Sequence, residues 1–321
     1  MGPGGAGPGA EEARDGEQVE SLARVERGDI PMAAERRLGE LRDSGGTYTS
    51  DLSIASFALC SQLGLRPLAQ VMGSSVYQVG YQGLNYGLSW GGGMMPYSAG
   101  IVTELETLSE AWNEARGRAL YRLSREAQEV GADAVVGVTV SAEARDFGDS
   151  SMSSGVIEYS VIGTAVRRDG ARAPQAQRAR PLVLTELSVG DYAKLIAAGI
   201  EPAGIAAWSS VFFAMYSYRT ATQGGSLLGM GMESFELPEF SQAIYAAREQ
   251  VMSRLGGQAQ ALAADGIVGV RISHQMHPQK IGSSSQEGLL VTFHAIGTAV
   301  AESAGAQVRA PQPIIDLTGG P

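Results

Sequence analysis

The chain writes one long passage twice, and that repetition restricts its architecture more than any other feature. "GADAVVGVTV" occupies 131–140 and "AADGIVGVRI" occupies 263–272, with "IGTAV" following at 162–166 and again at 296–300. Upstream, residues 49–77 align with 185–212 after one residue of slippage. Leu52 and Ser53 fall on Leu187 and Ser188, Phe57 on Tyr192, Gly64 and Pro67 on Gly199 and Pro202, and Ser75 and Val76 on Ser210 and Val211. Between these blocks, apolar residues at 108, 112, 115, 119, 123, 127 and 130 step by three and four. Adding 132 gives Phe240, Ile244, Ala247, Val251, Leu255, Ala259 and Leu262, all apolar. This is one buried stripe of an amphipathic helix, present in both copies.

Each copy therefore predicts the same order of elements. A short helix stops at Gly64 or Gly199, where glycine supplies a left-handed residue and the following X-Pro pair turns the chain into a strand. The long helix comes next, then a β-branched strand, a polar Ser/Gly stretch and a returning strand that completes a hairpin. The fold class expected is α+β: two tandem repeats, each a small, mostly antiparallel sheet packed against a long helix. Gly137, Gly163, Gly269 and Gly297 lie inside strands and mark bulges or the close approach of the helix. Off the stripe, Glu110, Glu114, Arg118, Arg122 and Arg125 read as a solvated face.

The expected divisions are a largely disordered extension with one short helix (1–46), repeat 1 (47–167), a linker (168–181), repeat 2 (182–301) and a flexible tail (302–321). Residues 1–45 are poor in apolar residues, yet "DIPMAAERRLGELRDSGG" (29–46) has a proline near its first turn and a Gly-Gly stop. Leu38 and Leu41 give that helix a narrow edge able to dock on the body or on a neighbouring chain.

With 321 residues, 44% hydrophobic and 18% charged, the chain has the composition of two soluble globular domains. Its net charge of −10 argues against nucleic-acid or anionic-membrane partners, although 167–180 is locally basic and reads as a solvated linker. No run reaches the ~18 apolar residues of a membrane span, so no membrane insertion is expected. Gly, Pro and acids stand where a signal peptide would need an apolar stretch, which points to a cytoplasmic location. Cys60 is the only cysteine and falls in an apolar helical pattern, where it reads as buried filler.

The segments "EARGRALYRLSREAQEVGADAVVGV" (114–138) with "VIGTAV" (161–166), and "AAREQVMSRLGGQAQALAADGIVGV" (246–270) with "AIGTAV" (295–300), resemble the YbjQ-type family. These are small bacterial proteins labelled heavy-metal-binding, of unestablished function. Over both copies the resemblance covers about 49–167 and 182–301. It implies a long helix against a small, mostly antiparallel sheet, assembled as a pentameric ring. The chain departs from that pattern in its tandem copy, its N-terminal extension and its Gly/Met/aromatic inserts.

The family label directs attention to soft-metal donors, which require clustered thiolates or imidazoles. His274 and His277 form H-x-x-H at the end of a strand, where residues three apart point to opposite faces. A loop centred near 282 would put His294 opposite residue 270. Four residues along a strand is ~13 Å, too far from His274 to share a metal. Met94, Met95, Met230 and Met232, in the inserts 81–100 and 217–240, could hold copper(I) or pack at a subunit seam; the seam is preferred. The "GGG" at 91–93 lacks the following Lys-Ser/Thr of a phosphate loop. Asp133 and Asp265 recur at helix-to-strand corners and read as backbone acceptors. Glu143 and Glu158 would face each other across a hairpin. No catalytic constellation emerges, so no cofactor is expected.

The function expected is a non-enzymatic, ring-forming homo-oligomer that binds an unknown protein or small ligand. The alternative is a metal- or small-ligand-binding protein that uses the inserts or the His-bearing hairpin of repeat 2. Five is odd, so whole two-domain chains cannot fill a single ring of five domains. The simplest closed form is a pentamer whose ten domains make two stacked rings, one copy per ring, joined by the linker; the alternative is a self-sufficient monomer in which the two copies pair with each other.

Overall fold

The computed structural model describes residues 8–44, 47–79, 101–146, 155–168, 181–215, 236–280 and 287–302. Repeat 1 contains α3 (Ile54–Gln62), β1 (Leu65–Gln78), β2 (Ile101–Glu104), α4 (Glu106–Glu129), β3 (Ala134–Asp146) and β4 (Gly155–Arg168). Repeat 2 contains β5 (Val183–Leu184), α5 (Val189–Ala197), β6 (Ile200–Met215), α6 (Pro238–Ala261), β7 (Gly266–Lys280) and β8 (Glu287–Glu302). Both short helices are capped alike: Ser53 Oγ accepts from Ser56 N and Ser188 Oγ accepts from Asp191 N.

The core of each repeat is a three-stranded antiparallel sheet with its hairpin, in the order β1-β4-β3 or β6-β8-β7. The strand orders match, so the two copies share one fold. The long helix lies across each sheet on the periodic stripe: Trp112, Ala115, Ala119, Leu123 and Ala127 are buried in α4, and Ala247, Val251, Leu255 and Ala259 in α6.

The in-strand glycines divide by role. Gly137 and Gly269 both have φ of +65° and sit at the matching breaks of register in β3 and β7. A Cβ on Gly163 or Gly297 would fall 2.7 Å from Val135 Cγ1 or Ile267 Cγ2, so the neighbouring bulged strand, rather than the helix, crowds these two. The helix instead crowds Gly73, where a Cβ would meet Ala119 O at 1.9 Å.

Each sheet has a fourth strand, and each borrows it from the other repeat. β2 of repeat 1 pairs antiparallel with β6, and β5 of repeat 2 pairs parallel with β3, giving sheets β1-β4-β3-β5 and β2-β6-β8-β7. The expectation that the linker at 167–181 is the only connection between the copies is therefore corrected. The repeats lie side by side, joined by an exchange of edge strands, because each has an unpaired edge that the other's lead-in segment satisfies.

The N-terminal extension differs from the reading of a single short helix. It forms two helices, α1 (Pro8–Glu26) and α2 (Met32–Ser44). Ile30 and Leu38 are fully buried in the repeat 1 core, with Leu41 packed against it. The other contacts are polar, which composition could not reveal: Arg24 pairs with Glu35 and Arg36 with Glu17 between α1 and α2, and Arg37 pairs with Glu126 of α4. Arg122 is the chief correction to the solvated face. It is buried and its guanidinium donates to three carbonyls, Ser74 O (2.5 Å), Val25 O (2.8 Å) and Asp29 O (3.3 Å).

Candidate functional site

The seam between the repeats concentrates buried polar side chains. Along the open edge of β6 the pairing begins with β2, where Ile101 stands opposite Met215 and Glu104 opposite Phe212. The start of α4 continues it. Leu105 N donates to Val211 O (2.8 Å), and Ser109 Oγ accepts from Val211 N (2.9 Å). One turn on, Asn113 acts as a one-residue strand: its Nδ2 donates to Ser209 O (2.8 Å) and its Oδ1 accepts from Ser209 N (3.0 Å). Repeat 2 reciprocates on β3, with Thr185 N donating to Val135 O (2.9 Å), Val138 N to Thr185 O (3.0 Å) and Gly137 N to Leu187 O (2.9 Å). Every edge group along these stretches is paired, as burial requires.

Aromatic rings fill the space between the ladders. Trp112 of α4 meets His294 of β8 edge-to-face at 4.7 Å between centroids. Arg116 and Arg254 lie 5.6 and 5.1 Å from the Trp208 ring, a cation from each long helix on one indole. Arg168 of repeat 1 lies over Tyr192 of repeat 2 and hydrogen-bonds its hydroxyl.

Beside this packing runs a cleft of about 650 Å³, walled by β3 and β4 of repeat 1 and by β7 and β8 of repeat 2; Tyr159, Trp208, Arg271 and His294 line it. Among the described residues, three buried polar atoms at the seam have no hydrogen-bond partner: His294 Nε2, Trp208 Nε1 and Glu186 Oε1. His294 Nδ1 is 2.8 Å from Ser209 Oγ. Burial, with the positive charge of Arg116 adding to it, lowers the imidazole pKa to about 4, so the ring is neutral at pH 7. Burial raises the Tyr159 phenol to about 12. Burial also raises the Glu186 carboxyl, against the opposing pull of Arg271, whose Nη2 lies 2.8 Å away. The cleft is thus lined by residues bearing a neutral imidazole, a neutral phenol and an indole. No nucleophile–base pair stands among these groups.

The histidines weighed as metal ligands stand apart. His294 stands opposite Ser273, three residues from the expected register, because the hairpin turns later and Lys280 pairs with Glu287. His274 pairs with Phe293 on the opposite face and lies near-parallel to that ring at 6.3 Å. His277 Nε2 is 3.4 Å from Gln275 Oε1, and both H-x-x-H residues are exposed. Among the described residues no group of three or more His, Cys, Asp or Glu could hold a metal ion, so these residues do not fit a heavy metal. Met94, Met95, Met230 and Met232 lie outside the described residues. Asp133 and Asp265 accept from the backbone N–H of Arg168 and Glu302 (2.9 and 2.8 Å), which ties each corner to the end of its returning strand. Glu143 does stand opposite Glu158. Cys60 is fully buried, and burial pushes its thiol pKa up.

The seam residues that the sequence did not mark are Asn113, Arg116 and Trp208. Their signal lay in difference rather than likeness. Asn113 corresponds to Tyr245, Trp208 to Gly73 and His294 to Ser160, so the copies diverge where repeat 1 touches repeat 2.

Comparison with known proteins supports the division into two copies. The sequence matches the YbjQ_1 family, described as "Putative heavy-metal-binding", over residues 82–169 and again over 229–303. It is 31% identical to "Encapsulin nanocompartment protein Rv1762c" of Mycobacterium tuberculosis, over 89% of this chain and 97% of that one. It is also 41% identical over 64 residues to a UPF0145 protein of Thermosipho africanus, covering 20% of this chain and about half (53%) of that protein. No solved structure matches. The chain belongs to the YbjQ_1 family and carries its domain in tandem. No helix among the described residues is long and apolar enough to cross a membrane.

Proposed function

We propose that this protein is a non-enzymatic self-assembly module whose two-repeat chains associate into a closed homo-oligomer. One observation carries the reading: each repeat completes its sheet with a strand from its neighbour. Such a domain is built to be one unit of a series. The relative named as an encapsulin nanocompartment protein, matched along nearly its whole length, supports an assembly role. The family resemblance implies a five-fold ring of domains; five chains, ten domains in all, is the count we propose, and the working location is the cytoplasm. Light scattering on the purified chain is the test. A mass of five chains is the expected result, and a mass of one chain at micromolar concentration rejects the reading.

A second reading is favoured by the orphaned His294 Nε2 and Trp208 Nε1 beside the cleft. There the seam binds a small polar ligand that accepts from the indole and hydrogen-bonds the neutral imidazole. Screening small polar metabolites by thermal shift tests it: a hit retained by His294→Phe would place the ligand elsewhere.

A further inference from the structure

The seam inside the chain leaves two of its halves unused, one on each repeat. In the used halves α5 sets Val189 and Tyr192 into the repeat 1 sheet among Ala134, Val136 and Val166, and both are buried (0% and 2% exposed). Their counterparts on α3 of repeat 1 are Ile54 and Phe57, which are 90% and 46% exposed. Val211, 0% exposed under the start of α4, corresponds to Val76 on the open edge of β1, which is 71% exposed. On repeat 2 the counterparts of the donor residues Leu105 and Asn113 are Leu237 and Tyr245, both exposed. The outer edge of β7, which matches the β3 edge filled by β5, has no strand paired to it among the described residues.

We propose that a second copy of this chain occupies both open halves, so that repeat 2 of one chain meets repeat 1 of the next through the same reciprocal strand exchange as the internal seam. The segment 48–52 of one chain adds parallel to the β7 edge of another, with Ile54 and Phe57 set against its Gly266, Val268 and Val300. In return, the stretch from Leu237 to Tyr245 covers the β1 edge at Val76. This inference rests on the assembly reading above and names the surfaces it would use.

The residues that differ between the two seams differ in matched pairs, and this favours a second copy over an unrelated partner. Inside the chain the Tyr192 hydroxyl is held by Arg168. At the open half the tyrosine is replaced by Phe57, which has no hydroxyl, and the position of Arg168 is taken by Glu302. Inside the chain Asn113 satisfies Ser209 O. At the open half the asparagine position is Tyr245, and the matching carbonyl, Ser74 O, is already satisfied by Arg122. The tyrosine hydroxyl is lost together with its arginine, and the carbonyl is met by Arg122, so neither of these groups is stranded at the second seam. The contact is heterologous, one face meeting a different face, and it propagates from chain to chain until it closes.

The test uses the full chain in three forms. Ile54→Glu with Phe57→Glu blocks the repeat 1 face, and Leu237→Glu with Tyr245→Glu blocks the repeat 2 face. All four side chains are exposed in the single chain. Light scattering should show the wild type as a multi-chain species and each double variant as no larger than one chain. An equimolar mixture of the two variants should give two-chain species, since one intact seam can form. A wild type of one-chain mass would sink the assembly reading itself. A wild type that assembles, with variants that assemble equally, would sink only the surface proposed. Variants that fall to one chain but fail to pair when mixed would overturn the head-to-tail geometry.

Discussion

Ala263 holds φ of +52°, a left-handed conformation that costs a residue with a Cβ roughly 1–2 kcal/mol. Repeat 1 places Gly131 at the same corner, with φ of +70°. Ala263→Gly should therefore raise stability by up to ~1 kcal/mol, read as a higher denaturation midpoint; an unchanged or lower midpoint would count against the strain. His294 gives a pH signature. Its folded pKa of about 4 lies below the ordinary 6.5, so the unfolded chain binds the proton more readily. Above about pH 6.5 this difference has no effect on stability, and as pH falls towards 4 it destabilises the fold by an amount on the order of 3 kcal/mol. Thermal melts between pH 7 and 4.5 should fall more steeply for the wild type than for His294→Gln. Parallel profiles would show that the imidazole is not buried neutral. Arg122 closes three carbonyls with one guanidinium, two of them in the N-terminal extension. Arg122→Ala should cost ~1–3 kcal/mol through those unsatisfied acceptors and speed proteolysis within 8–44. Unaltered cleavage there would mean that Ile30 and Leu38 hold the extension unaided.

At the scale of the element, the helical stripe was the most legible feature. A period of three and four, repeated at a fixed offset of 132, can only be a buried face, and Leu123 and Leu255 are fully buried. Leu123→Ala or Leu255→Ala should cost ~2–5 kcal/mol by chemical denaturation; a loss under ~1 kcal/mol would contradict the packing. The hairpins were legible for the same reason, since alternation and repetition agreed. The polar attachments were not. Arg122 and Arg118 are one turn apart and look alike in sequence, and only the carbonyls brought by α1 and β1 distinguish them. The His294 register was misread because the turn length, which fixes register, is not written in the hydrophobic pattern. The extra strands were invisible as well: β5 is two residues long and β2 four, too short for any periodicity.

For the whole molecule, sequence repetition established that there are two copies but gave no relation between them. The linker was expected to be the only connection between them, and the exchanged strands join them edge to edge as well. Three of the residues that decide this, Asn113, Arg168 and Tyr192, are positions at which the copies differ, so a search for likeness passes over them. The candidate site shares that property, since it lies where two equal units became unequal.

The exchange of β2 and β5 also has a consequence in time. Synthesis runs from the N-terminus, so the β3 edge of repeat 1 emerges well before Val183 and Leu184, the residues that close it. Until the later half is made, the earlier half carries an unpaired strand beside a growing chain, the kind of surface that captures other nascent strands. Ile101–Glu104 waits longer still, since its partner residues Phe212–Met215 come more than a hundred positions later. On a polysome, where identical chains emerge close together, a strand that belongs to its own second repeat can meet a neighbour's first. The spacing of ribosomes along the message thus bears on whether each chain closes its own seam or trades it with a sister.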